Sequence, residues 1–320
     1  MHTDSATLMV NPAARGVPAN YDWTRPARFL RKRGIETRLV IPRSPKEAVR
    51  EAHLSADAGD RWLFVVGGDG SLRVTAAGIA GSETALAALP MGTVNVWARE
   101  AGIPRQLKAA LECHLDGLVT RIDLGRGGDD CFLLMASIGW DAAVARDVPS
   151  GLKRRIGDAA YVVQGARMLR SLRSVPVAWR ADGKERRSKL AMLVVSNTRL
   201  YGGRVMFTPR ALANDALLDY LGLAPKHPGH TVTLAARLVT KRLSGANHVV
   251  EGQAREVAVE TPGLPMQFDG DYIGETPVRL WVERGGLAVS LPGGPLPAFL
   301  AAPILEQGPV GEVAWQPQTA

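Results

Sequence analysis

The chain has 320 residues, of which 46% are hydrophobic and 22% charged, with a formal net charge of +8. That length suits about two domains and a substantial core, and the composition is that of a globular protein rather than a disordered or fibrous one. No apolar run approaches the ~18 residues that span a bilayer, no signal peptide opens the sequence, and Cys113 and Cys131 are too few for a disulfide framework.

The expectation is a cytoplasmic protein, with peripheral membrane contact left open. The basic surplus fits phosphate ligands or an anionic membrane surface as well as a merely Arg-rich exterior. No long Lys/Arg block marks a nucleic-acid arm, so nucleic acid is not an expected partner.

Residues 7–10 read as a short strand ending in Asn11-Pro12 and the basic turn Arg15-Gly16. A helix pattern over 24–33 stops at Gly34, and 36–41 reads as the next strand. Ser44-Pro45-Lys46-Glu47 places Ser at the N-cap, Pro at the first helical position and Glu at the third, opening a helix to about residue 56. Residues 62–66 form an apolar run that stops at Gly67-Gly68. Asp69 follows between glycines, where the backbone turns sharply and approaches a ligand closely. Ser71 is placed as cap of a helix starting near Leu72, whose first N–H groups suit a phosphate.

An ordinary βα turn has the same composition, so a second turn decides the reading. Residues 86–90 read as a strand followed by Met91-Gly92-Thr93-Val94-Asn95, with a helix beginning near Val94. Consecutive turns of this kind in a parallel sheet share one crevice at the carboxyl edge. A further helix is expected near 105–114, and the alternation predicts helices on both faces of a parallel sheet.

Beyond about residue 120 strand-like segments dominate: 119–124, 131–138, 175–181, 188–196, 217–223, 255–260, 278–284 and 287–291. Asp182-Gly183, Asp269-Gly270 and Gly285-Gly286 read as hairpin turns between them. Helix patterns near 153–172 and 230–242 interrupt the series. The fold class predicted is an α/β nucleotide-binding domain over 1–125, an all-β sandwich over 126–300, and a Pro/Gly-rich tail over 301–320.

Neither a P-loop nor a Gly-x-Gly-x-x-Gly fingerprint is present, the histidines lack metal-ligand spacing, and the Gly-x-Ser-x-Gly elbow of a serine hydrolase is missing. Asp141 is placed just past the strand that ends near 136, and Asp215 sits in a loop where carboxylate and carbonyl oxygens suit a hard cation. Asp269-Gly270-Asp271 is a plain hairpin turn unless it faces the crevice.

Taken in order, Asn11-Pro12 with Gly16, Gly67-Gly68-Asp69-Gly70-Ser71, residues 89–95, Gly139-Trp140-Asp141-Ala142, Tyr201-Gly202-Gly203, Asn214-Asp215 with Leu218-Asp219, and Asp269-Gly270-Asp271 resemble the diacylglycerol-kinase-like lipid kinases, across nearly the whole chain. The resemblance implies a domain related to NAD kinases and phosphofructokinases, a β-sandwich domain, ATP as donor and Mg²⁺ as cofactor. It implies phosphate binding by Asn11, Arg15, Gly67, Gly68, Gly70, Ser71, Gly92, Thr93 and Asn95, with Asp69 beside the triphosphate and Mg²⁺. Asp271, or Asp269 beside it, is implied as acceptor of the lipid hydroxyl proton. Asp215 with the carbonyls of Leu212 and Leu217 is implied as a separate structural cation site, for Mg²⁺ or Ca²⁺.

Two positions depart from the family pattern: Val74 replaces its usual Glu, and Val96 follows Asn95 where Asp is common. Ala216 also replaces a common Gly. Expected partners are ATP and a lipid, diacylglycerol-like or sphingoid, presented at a membrane surface; a homodimer is left open. The rival readings are an NAD-kinase-type small-molecule kinase and a non-catalytic lipid- or nucleotide-binding protein.

Overall fold

A computed structural model of the chain describes residues 4–14, 16–18, 20–92, 94–147, 173–202, 205–226 and 247–301. Its first part alternates β1 (Ser5–Val10), α1 (Thr24–Lys32), β2 (Glu36–Val40), α2 (Pro45–Asp57), β3 (Trp62–Gly67), α3 (Asp69–Ile79), β4 (Ala85–Pro90), α4 (Val96–Glu100) and α5 (Leu107–Leu115). β1, β3 and β4 are buried almost end to end, as strands covered on both faces must be. They pair in parallel in the order β2-β1-β3-β4, so their carboxyl ends open on one edge.

Local signals hold well here. Ser44 accepts the Glu47 N–H at 3.2 Å with Pro45 at the head of α2, although the Glu47 carboxylate reaches back to the Arg43 N–H at 2.8 Å rather than to Ser44. Two helix starts differ from expectation. α3 begins at Asp69 with Gly68 as N-cap, and Ser71 lies inside its first turn. α4 begins at Val96, because Asn95 adopts a left-handed backbone (φ +51°) that interrupts the helix there.

The remainder runs β5 (Leu118–Gly127), β6 (Asp130–Phe132), β7 (Met135–Gly139), α6 (Trp140–Asp147), β8 (Val175–Ala181), β9 (Lys184–Leu190), β10 (Met192–Ser196), β11 (Leu200–Tyr201), β12 (Val205–Met206), β13 (Leu218–Leu223), β14 (Val249–Ala254), β15 (Glu256–Val259), β16 (Pro265–Phe268), β17 (Asp271–Glu275) and β18 (Val278–Leu291). One antiparallel sheet, ordered β14-β13-β10-β7-β16-β17, packs on the β18-β15-β8-β9 end of the other. Phe132, Trp179, Leu193, Val195, Val257, Phe268 and Leu280 fill the space between them.

The expected single strands at 131–138 and 188–196 are each divided in two, and Asp141 lies just past β7, in the first turn of α6. The helix patterns near 153–172 and 230–242, and the tail from 302, lie outside the described residues.

Gly285-Gly286 corrects the reading most. No hairpin forms there: β18 continues through a bulge, with its register against β5 shifting between Glu283 and Leu287. Two glycines supply the unusual backbone that either a turn or a bulge needs, and composition does not separate the two. The first half of β18 pairs with β15, and its second half runs parallel to β4. The last strand therefore returns to the N-terminal sheet and joins it to the sandwich.

Asp123 on β5 holds that bulge. Its carboxylate is buried, accepting the Gly285 N–H at 2.7 Å with one oxygen and the Ala216 N–H at 2.6 Å with the other. Asp123→Ala strands two part-buried amide donors at ~1–3 kcal/mol each, so urea unfolding should show a loss of about 2–6 kcal/mol; a midpoint equal to wild type would refute the latch.

Candidate active site

Three loops meet at the carboxyl edge of the parallel strands. Asn11, after β1, closes its own turn by accepting the Ala13 N–H at 2.9 Å and donates its amide to Ser71 Oγ at 2.8 Å. The Gly16 N–H donates to the Met91 carbonyl at 2.8 Å, and the Met91 N–H donates to the Gly67 carbonyl at 2.9 Å. The glycines are dictated by closeness. A Cβ on Gly67 would stand 2.4 Å from Ser71 Oγ, and one on Gly92 would stand 2.9 Å from the Gly68 Cα and 2.7 Å from Asn95 Oδ1. A bare backbone edge at the start of α3 remains, with amide donors suited to an anion.

Asn95 is buried and closes on Gly92 in both directions: its Oδ1 accepts the Gly92 N–H and its amide donates to the Gly92 carbonyl, each at 2.8 Å. Asp69 reaches across from α3 to cap α4, accepting the Val96 N–H at 2.9 Å and the Trp97 N–H at 3.0 Å. Both side chains shape the loops against which a phosphate would lie. Arg15 and Thr93 lie outside the described residues.

The acidic hairpin faces this edge. Phe268 pairs with Asp271 across a two-residue turn in which Asp269 (φ +49°) and Gly270 (φ +91°) both take left-handed backbone. Asp269 points inward, and its carboxylate accepts N–H bonds from Leu133, Leu134 and Met135 at 2.7–2.9 Å. Burial pushes its carboxyl up to about 7, opposed by those three bonds and by the Arg73 charge. Asp271 points the other way: a Cβ placed on Gly70 would lie 2.9 Å from its Oδ2. Adjacent residues of one turn therefore serve opposite sides, Asp269 the β6–β7 backbone and Asp271 the head of α3.

Arg73, on the second turn of α3, was not among the sequence candidates. Its guanidinium contacts both oxygens of Asp130 at 2.7 and 2.8 Å and lies 3.5 Å from Asp271 Oδ2. Burial works against its charge, but Asp130, Asp269 and Asp271 outweigh burial and raise its pKa. One signal was available, since a residue three beyond Gly70 shares its helix face.

Asp215 belongs to a different group. It accepts the Leu217 N–H at 3.0 Å, and burial together with Asp219 and Asp123 pushes its carboxyl up to about 6. Leu212 and Leu217 flank it, both half-buried. Among the described residues no group of three or more His, Cys, Asp and Glu side chains is placed to hold a metal.

A βα-alternating half with glycine-lined loops at its carboxyl edge is thus met by a hairpin from the β-rich half. A family model described as the diacylglycerol kinase catalytic domain matches residues 5–127, and one described as the YegS C-terminal NAD kinase beta sandwich-like domain matches 135–291. A probable lipid kinase YegS-like of Pseudomonas syringae pv. syringae (strain B728a) is 32% identical over 265 residues, spanning 82% of this chain and 86% of that protein. A diacylglycerol kinase of Bacillus subtilis (strain 168) is 30% identical over 249 residues, spanning 76% of this chain and 82% of that protein. The crystal structure of a diacylglycerol kinase from Bacillus anthracis str. Sterne matches with a TM-score of 0.69 and 17% identity, over 91% of this chain and 97% of that one, a likeness of fold.

The chain belongs to the diacylglycerol-kinase-like lipid kinases. It is a lipid kinase, and membership implies a nucleotide donor, a divalent cation and a lipid acceptor. No helix among the described residues is long and apolar enough to cross a membrane.

The inward carboxyl of Asp269 carries a stability signature. Its folded pKa of about 7 lies above the 3.8 of an ordinary Asp. Its contribution is therefore most favourable below about pH 4 and is lost as pH rises through 7, at up to ~1.4 kcal/mol per pH unit. Thermal unfolding between pH 5 and 7.5 should show Asp269→Asn flattening the wild-type decline; equal slopes would show that Asp269 does not titrate in this window.

Proposed function

We propose that this chain transfers the γ-phosphoryl group of ATP, with Mg²⁺, to the hydroxyl of a diacylglycerol-like or sphingoid lipid presented at a membrane surface. The observation that carries the reading is the placement of the Asp271 carboxylate against Gly70, at the N-terminal turn of α3. A carboxylate there is placed to take up a proton beside a phosphate.

In this reading the Gly67, Gly68, Gly70 and Gly92 backbones, with Asn11 and Ser71, receive the phosphates through amide and hydroxyl groups. Arg15 and Thr93 join them on the strength of the resemblance. Asp69 and Asn95 keep the two glycine loops at fixed separation. On the strength of the resemblance, Asp69 would also stand by the Mg²⁺, from the same position in which it caps α4. When bound, Mg²⁺ neutralises charge on the phosphates.

Asp271 accepts the proton of the lipid hydroxyl as its oxygen bonds to the γ-phosphorus and the bond to ADP breaks. Asp269 sets the turn and leaves the base role to Asp271. Asp215 with the Leu212 and Leu217 carbonyls is assigned a second, structural cation site, since one carboxylate with backbone oxygens is a donor set suited to Ca²⁺ or Mg²⁺.

Labelled ATP supplied with diacylglycerol, ceramide and sphingoid bases in mixed micelles should send label into the organic phase. Label confined to a water-soluble product would favour the NAD-kinase-type reading. Asp271→Asn should lower kcat about 10²- to 10⁴-fold with little change in unfolding temperature; full turnover would move the base elsewhere. Gly92→Ala, which drives a methyl into Gly68 and Asn95, should raise the KM for ATP about tenfold. An unchanged KM would show that the closeness of the two loops does not serve the nucleotide.

A further inference from the structure

We propose that Arg73 is a positioning residue for phosphoryl transfer: anchored by Asp130, it holds the Asp271 carboxylate over the first turn of α3. This rests on Asp271 being the proton acceptor.

The geometry is specific. Arg73 Nη1 is committed to both oxygens of Asp130 on β6, while Nη2 lies 3.5 Å from Asp271 Oδ2 on β17. The two carboxylates come from different strands, and a planar fork spans them at fixed separation where an ammonium point charge would not. The anchor is itself fixed. The Cys131 N–H donates to Asp130 Oδ1 at 2.8 Å, and Cys131 Sγ lies 3.6 Å from the Arg73 carbonyl.

Asp130, Asp269 and Asp271 all act on this one cation. Without it, the Asp130 and Asp269 charges would push Asp271 away from the α3 turn. Stability alone does not account for the arrangement. The Arg73 side chain is only 9% exposed and its Nε is buried without a hydrogen-bond partner, whereas a buried ion network is a poor stabiliser compared with apolar packing. The group it serves is half-open to the cleft: the Asp271 side chain is 39% exposed.

The test uses the full chain, labelled ATP and dioleoylglycerol in mixed micelles, with kcat and both KM values measured for Arg73→Gln, Arg73→Lys, Asp130→Asn, Asp271→Asn and the Arg73→Gln/Asp271→Asn double variant. Arg73→Gln should lower kcat about 10- to 100-fold while moving the KM for ATP less than about threefold. Arg73→Lys and Asp130→Asn should fall between it and wild type. In the Asp271→Asn background Arg73→Gln should cost less than about twofold further, because the group it positions is already gone.

Wild-type kcat in folded Arg73→Gln would overturn the proposal. If that variant unfolds, wild-type kcat in both Arg73→Lys and Asp130→Asn would do the same. A full multiplicative loss in the double variant would also overturn it, leaving Asp271 as base. Full turnover in Asp271→Asn would remove the base assignment and this proposal together.

Discussion

Carboxylates that capture backbone N–H groups from distant segments hold this protein's loops in place. Asp69 takes two amides at the head of α4, 27 and 28 residues along the chain. Asp269 takes three from the β6–β7 connection, 134–136 residues back. Asp123 ties a bulge to a loop, and the buried Glu100 accepts the N–H groups of Arg199 and Leu200. These segments are strand ends, a helix start, a loop and a bulge, where the backbone has donors that no ladder satisfies. A charged acceptor meets several at once and is worth roughly twice a neutral one. An elevated carboxyl pKa, as at Asp269, is the consequence of burying such acceptors.

The same device makes the two-domain cleft a single object. β18 is shared by the sandwich and the parallel sheet, so one sheet runs through both halves of the chain. His114 on α5 adds a second tie. Its Nε2 donates to the Ala88 carbonyl at 2.8 Å on β4, and its Nδ1 accepts from Ser290 Oγ at 3.0 Å on β18. Burial lowers its pKa to about 4, so the ring is neutral at ordinary pH and this donor–acceptor order is fixed. The distance between the glycine loops and the Asp271 carboxylate is thus built into the fold.

Much of this was readable because strands buried on both faces carry unbroken apolar runs, and the glycine turns follow them directly. β3, β4 and their loops emerge from residues 62–71 and 86–95 with ends shifted by a residue or two. The hidden parts depend on long-range closure. Gly285-Gly286 has turn composition whether the chain reverses or bulges; only the β5 and β4 partners decide. Asp69 and Asp269 look like reactive acids in a motif, yet their oxygens are directed at amides whose positions no local pattern reveals. Arg73 is one more Arg in a basic chain until Asp130, 57 residues away, is folded against it.

The departures at 74 and 96 follow from that arrangement. Val96 is buried and contributes its N–H to Asp69, a bond that any residue but proline would make at 96, so the α4 start survives replacement of an acid there. Val74 packs against the N-terminal core. Both changes remove negative charge that the family pattern would set near the anion edge. With Asp69 and Asp269 engaged by backbone amides, the charges facing that edge reduce chiefly to Asp271 and the Arg73–Asp130 pair.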